Sequence, residues 1–400
     1  MKSVQYRVNS SMVVRAETWL LPDGVQDVLP QDAILLEALR RRLLDMFAAW
    51  GYELVFTPLV EYIESLLTGS SRDLDLMTFK ITDQLTGRLM GVRADLTPQV
   101  ARLDAHCLPR EHTARYCYSG TVLNTLPQGL STGRTPIQIG AEIYGYQGVA
   151  ADIEVIRLML TTLTQAGATD VHLDLGHVTV FRELAKAANL SAELEAQLFD
   201  IYQRKSIPEL NNLLPELPHS DWFAALGQLS GQMTVLAEAE SLLVGAPSSV
   251  HQALNDLQQV AQALHLSHPQ VSVSVDLSEL RGYHYHTGLV FAAYTPHSAS
   301  ELAKGGRYDH IGKAFGRARP ATGFSADLKS LLAFFQHQVS NSKIFAPANS
   351  DVALSQAIAQ LRAEGRTVIQ GLAGDFSTMA DFGCQQQLVV GQQGWQLAQI

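Results

Sequence analysis

Between Leu89 and Tyr146 the chain carries a succession of short β-prone runs, among them RYCYSG and PIQIGAEIYGY. Turn residues separate these runs, whereas parallel neighbours need crossovers of a dozen or more residues. The spacing predicts antiparallel strands in an α+β fold, not regular βαβ units. Upstream, Ile34, Leu35, Leu39, Leu43, Leu44 and Phe47 recur at three and four, which predicts an amphipathic helix over 30–50 that stops at Gly51. Residues 53–56 then read as a short strand ended by Pro58, since proline lacks the donor that a central ladder needs. Val155, Ile156, Leu158, Met159, Leu160 and Leu163 mark a second helix over 152–166, with VHLDLGHV a strand beyond it.

At 400 residues the chain exceeds one ordinary compact domain. Residues 1–18 read as an N-terminal tail and 19–335 as the main domain. Within that domain, 183–268 is rich in Leu, Ala, Gln and Glu, is broken at Pro208, Pro215, Pro218 and Pro247, and reads as a helical insertion. Strand patterning resumes at VSVSVDL and GLVFAAY. After the polar linker QVSNSKIFAPANSD, residues 344–400 alternate strands with one helix, a small C-terminal α/β unit.

Hydrophobic residues at 46% and charged residues at 17% exclude a mainly disordered chain. The 39 acidic against 29 basic side chains leave a net charge of −10, opposite to what gathers nucleic acid, so a nucleic-acid partner is not the first expectation. Cys107, Cys117 and Cys384 lack CxxC spacing and fit neither a disulfide scaffold nor a zinc site, which points to a reducing cytoplasm. No run is long and apolar enough to cross a bilayer, so no membrane association is expected. The dinucleotide fingerprint, the P-loop and the common hydrolase signatures are missing, and no cofactor is expected. His284 and His286 stand two apart in RGYHYHTG, where a strand would put both on one face; without a nearby third ligand they suit a polar pocket better than a metal.

A set of polar residues inside otherwise apolar strands carries more information. Arg93, Asp95 and Thr97 lie in GVRADLTPQ, Gln138 and Glu142 in PIQIGAEIYG, Arg281 and Tyr285 in LRGYHYHTG, and Arg307 and Tyr308 in GGRYD. Buried charge is costly unless paired, so four such segments suggest one converging pocket. Carboxylates for an ammonium and an arginine fork for a carboxylate suit a small zwitterion, a free amino acid.

At these residues the chain resembles the catalytic domain of histidyl-tRNA synthetases, over about 21–335. GYELVFTPLVE is similar to the first motif of class II synthetases, where the family builds its dimer interface around Pro58. VRADLTPQVAR matches the amino-acid-binding stretch, RYCYSG through GAEIYGY covers the second motif and beyond, and RGYHYHTGLVF and GGRYD are specific to the histidine branch. The resemblance implies a class II aminoacyl-tRNA synthetase-like antiparallel sheet flanked by helices. It also implies a histidine site: Asp95, Thr97 and Gln138 at the α-amino group, Glu142 and Tyr308 at the imidazole, Arg281 at the carboxylate, and His286 where a second tyrosine is usual.

The departures fall on ATP chemistry. The run Gly120 to Pro127 offers Asn124 and Leu126 where the second motif carries an arginine and a glutamate, and PATGFSADLKSLL places Ser330 where the third motif ends in an arginine, with Asp327 in place of a glycine. Adenylation needs cations fixed on the triphosphate as charge develops. The C-terminal unit is also too short for the family's anticodon-binding domain, so with the acidic balance the resemblance implies no tRNA partner. A synthetase fold with its amino-acid pocket kept and its ATP handling lost resembles the regulatory subunits of short-form ATP phosphoribosyltransferase, the first enzyme of histidine biosynthesis. That resemblance implies a non-catalytic chain that pairs with a separate short catalytic chain, forms a homodimer and confers feedback by histidine. The alternatives are an aminoacylating or amino-acid-adenylating enzyme and a free-standing histidine sensor.

Overall fold

The computed structural model describes residues 20–67, 72–127, 133–336, 342–375, 377–392 and 394–400. The expected tail 1–18 and residues 338–341 of the expected linker lie outside them. Two compact units divide at residue 336.

The first unit is built on a nine-stranded sheet. Its strands run, in spatial order, Glu53–Leu54, Ala114–Thr121, Ile137–Tyr144, Ala321–Asp327, Ala303–Arg307, Leu289–Tyr294, His172–His177, Ser272–Asp276 and Ser230–Gly231. Only the first pair and the His172–His177/Ser272–Asp276 pair are parallel; the others are antiparallel. Strand alternation gives this sheet two unlike faces. One carries Cys117, Ile139, Ala141, Ile143, Leu173, Leu175, Phe291, Ala293 and Phe324, all buried in the core. The helices Pro30–Ala49, Val149–Gln165 and Ser248–Ser267 bury their apolar sides in that core.

The helix Pro30–Ala49 begins with proline at its first turn and buries Leu36, Leu39, Leu43 and Phe47, with Phe47 edge-on to Phe324 at 6.1 Å. Leu36 takes the inward position that the sequence pattern assigned to Ile34, which is half exposed. Gly51, at φ +85°, lets the chain reverse into the edge strand.

The opposite face of the sheet is polar and glycine-rich. Register lines up Tyr116, Glu142, Gly323, Gly306 and Val290 across five strands, and Tyr118, Gly140, Ser325, Lys304 and Ala292 beside them. Glycines here leave the sheet without side-chain cover, which opens a cleft over it. A three-stranded sheet, Val60–Tyr62, Leu89–Val92 and Phe79–Thr82, precedes the turn that enters the cleft at Asp95. Helices from Val178–Ala187 to Ser248–Ser267, with the two-residue strand Ser230–Gly231 among them, join the same core through Phe181, Leu184, Leu198, Phe223 and Leu236.

The second unit is a four-stranded sheet, ordered Val368–Gln370, Lys343–Ala346, Cys384–Gly391 and Gly394–Gln399, with the helix Val352–Ala363. Ile344, Ala346, Leu354, Ile358, Val368 and Leu388 make its small core.

Candidate functional site

The cleft encloses about 410 Å³ and is lined by Asp95, Thr97, Gln138, Arg281, His286 and Tyr308 among others, with Glu142 wholly buried beneath its floor. All seven residues singled out in the sequence as ligand-binding therefore converge. Asp95 sits in the turn before the helix Thr97–Arg102, where its Oδ1 accepts from the Thr97 backbone N–H at 3.1 Å and from Gln138 Nε2 at 2.8 Å. Gln138 Oε1 in turn accepts from the Leu96 N–H at 2.9 Å. This closed ring fixes the carboxylate at the cleft wall. Thr97 Oγ1 and the Tyr118 hydroxyl hydrogen-bond at 3.2 Å.

Glu142 lies at the centre of the sheet, opposite Tyr116 on one side and Gly323 on the other. Its Oε2 accepts from the Tyr144 hydroxyl, while Oε1 has no partner. Burial raises its pKa to about 8 against the opposing pull of the Tyr144 hydrogen bond. The hydroxyls of Tyr285 and Tyr308 are likewise buried and unpartnered. A Cβ at Gly323 would stand 2.4 Å from Tyr308 Oη and 2.6 Å from Glu142 Cγ, so only glycine keeps both groups in place.

Arg281 donates from Nη2 to the Tyr294 hydroxyl at 2.6 Å and lies 3.7 Å from Glu279, while its buried Nη1 has no partner. Native buried polar groups are almost always hydrogen-bonded, and these unpartnered atoms share one cleft. His286 packs against Tyr285 and Tyr308, and its Nδ1 lies 3.3 Å from the Arg307 carbonyl. Burial pushes its pKa down to about 4, so the ring is neutral.

Residues 281–288 are not the strand that the alternation suggested. Gly282, at φ +60°, lets the N–H groups of Tyr285 and His286 both return to its carbonyl at 2.7 Å, and the segment coils into turns. Tyr285 and His286 thereby enter the cleft together, whereas His284 is exposed, with its ring tilted against Phe199 at 5.4 Å. Two other polar residues of the sequence set are struts. Arg93 donates to the carbonyls of Thr121 and Thr57 at 2.9 and 2.8 Å. Arg307 pairs with buried Asp152 at 2.7 Å and reaches the Gly148 carbonyl, which anchors the adjoining Tyr308.

At the other end of the cleft Asn124 is buried with both amide atoms unpartnered. Asp327 caps its own helix turn, accepting from Lys329 N and from Ser330 Oγ at 3.1 and 2.9 Å. Lys329 Nζ rests on Thr135 Oγ1 at 3.3 Å. Among the described lining residues Arg281 is the single arginine. The floor glycines 140, 306 and 323 and the hydroxyls of Tyr118 and Tyr144 were not singled out in the sequence. The two-residue spacing of Gln138, Gly140 and Glu142 within one strand was the signal available for Gly140.

This polar-floored antiparallel sheet and its cleft define a class II synthetase-like fold, and the family model for histidyl-tRNA synthetase matches residues 24–331. A second model, the C-terminal domain of the ATP phosphoribosyltransferase subunit HisZ, matches residues 341–398. The chain belongs to the family of ATP phosphoribosyltransferase regulatory subunits. It is 54% identical to such a subunit from Thioalkalivibrio sulfidiphilus over 92% of this chain and 95% of that one. The solved structure of an ATP phosphoribosyltransferase regulatory subunit/histidyl-tRNA synthetase from Bacillus halodurans superimposes with a TM-score of 0.80 at 25% identity, covering 90% of this chain and 95% of that one. The same fold occurs in an ATP phosphoribosyl transferase (HisG:HisZ) complex from Thermotoga maritima, with a TM-score of 0.59 at 20% identity over 74% of this chain and 97% of that one.

Proposed function

We propose that this regulatory subunit binds free L-histidine in the cleft and transmits its presence to a separate short catalytic chain, in which the phosphoribosyl transfer resides. The observation that carries this reading is the group of unpartnered buried atoms, Glu142 Oε1, the Tyr285 and Tyr308 hydroxyls and Arg281 Nη1, in one cavity. Asp95, held by Gln138 and Thr97, takes the ammonium; Arg281 takes the carboxylate; Glu142 and Tyr308 take the imidazole, beside neutral His286. The lost arginines at positions 124 and 330 remove what adenylation and tRNA charging require.

A ligand shifts activity only by its differential affinity for two arrangements of the complex, typically about 1–3 kcal/mol. Mixing the purified chain with a short-form catalytic chain tests this. Phosphoribosyl transfer is expected to rise on mixing and to fall again with histidine. A mixture whose activity ignores millimolar histidine sinks the reading.

The same reading includes a homodimer through the first-motif stretch. Leu54, Phe56, Leu59 and Val60 are exposed beside the edge strand Glu53–Leu54, which pairs on one side only. Exposed apolar groups along an open edge favour a second copy.

A further inference from the structure

We propose that the cleft holds histidine with a single proton shared between the Glu142 carboxyl and the imidazole ring, so that affinity peaks in a narrow pH window. This rests on the cleft being a histidine site and goes beyond it by fixing the protonation of the complex.

The argument starts from what surrounds Glu142. Tyr144 faces it from its own strand, Tyr116 and Tyr118 from the neighbouring strand, Asp95 and Thr97 from the turn and helix above, and Tyr285 and Tyr308 from the other wall. Gly323 on the remaining side contributes no side chain. None of these is a cation. The cations lining the cleft, Arg281 and Lys304, are not among the groups that act on Glu142: Arg281 donates to Tyr294 and leaves Nη1 for the ligand's carboxylate, Lys304 pairs with Glu301 at 2.9 Å, and His286 is neutral. A buried carboxylate without a compensating cation is costly, and the empty site relieves this by keeping the carboxyl protonated.

An incoming imidazole offers one ring N–H and one bare nitrogen. With one proton between them, the pair is either acid against neutral ring or carboxylate against imidazolium, and both are hydrogen-bonded. A second proton leaves a buried imidazolium against a neutral acid. With none, the carboxylate is again charged with no cation beside it.

The signs follow by linkage. Glu142 in the empty cleft titrates near 8, and free imidazole near about 6.5. Between these values the acid is protonated and the ligand neutral, so binding exchanges no proton. Above the Glu142 value the empty site has lost its proton, binding takes one up, and affinity falls about ten-fold per pH unit. Below the imidazole value the free ligand is charged, binding releases a proton, and affinity falls by the same factor as pH drops. His286, already neutral throughout this range, contributes neither limb.

Calorimetric titration of the full chain with L-histidine, in buffers of different ionisation enthalpy, counts the protons. Wild type is expected to take up none near pH 7 and, at one unit above the Glu142 value, close to one beyond the share that the ligand's α-amino group takes up on binding as an ammonium. Glu142→Gln, which cannot ionise, is expected to show only the uptake due to the ligand's α-amino group, and that part cancels between the two proteins. Equal proton counts in both proteins overturn the inference while leaving the histidine site standing. Absence of binding in wild type overturns the site and the inference with it. Should Glu142→Gln not fold, wild-type affinity that stays level across the alkaline unit is sufficient to overturn it.

Discussion

Replacing Glu142 with alanine is expected to weaken histidine inhibition of the reconstituted complex about ten-fold or more, with activation of the catalytic chain preserved. Glu142 is fully buried, and its free Oε1 is the acceptor left for an imidazole N–H. Removing one partner of a buried hydrogen bond costs about 1–3 kcal/mol, because the other is stranded without water, and each 1.4 kcal/mol is about a factor of ten. The Tyr144 hydroxyl loses its acceptor as well, so the pocket is damaged at two points. Activation survives because the carboxyl lies beneath the cleft floor and presents nothing to the surface. Inhibition curves of wild-type and variant complexes check this, with thermal melting of each subunit as the control for folding. Unchanged inhibition in a correctly assembled complex would place the histidine effect elsewhere.

A comparably large effect is expected at the open edge. Phe56 is 76% exposed and Leu59 51%, next to a two-residue strand with a free side. Aromatic anchors of this kind contribute about 2–4 kcal/mol each when truncated at an interface. Phe56→Asp also puts a charge where the partner's apolar groups would close. Sedimentation is expected to show a dimer for wild type at micromolar concentration and a monomer for Phe56→Asp, a shift of roughly thirty-fold or more in the dissociation constant. The variant should keep its melting temperature in the monomeric state, since an exposed ring leaves little core packing to lose. A monomeric wild type contradicts the proposed interface.

Much of the site was legible because its residues violate their surroundings. Glu142 inside PIQIGAEIYG has no reason to stand between apolar neighbours unless something polar meets it. Asp95 and Gln138 were legible for the same reason, although the hydrogen bond that joins them links residues 43 apart and has no local signature. The turn at 281–288 was not legible. HYH alternation reads as a strand, and the positive φ at Gly282 that coils the segment depends on contacts made elsewhere. Arg93 and Arg307 look identical in kind to Arg281 within the sequence. Only the tertiary partners separate a strut held by Thr57 or Asp152 from a guanidinium with a free nitrogen. The helix 30–50 was placed by its period, yet which of Ile34 and Leu36 turns inward is settled by the sheet it packs on.

On the proposed function, the chain has kept an amino-acid pocket and lost the chemistry once attached to it. Histidine titration of the isolated chain by calorimetry, with histidine-dependent ATP–pyrophosphate exchange assayed on the same preparation, tests that most directly. Asn124 and Ser330 cannot neutralise a triphosphate as arginines would, and Asp327 adds a negative charge beside them. The predicted result is saturable binding at one site per chain with exchange no higher than in a protein-free control. Exchange at a rate typical of synthetases, or a chain that binds no histidine, would contradict it.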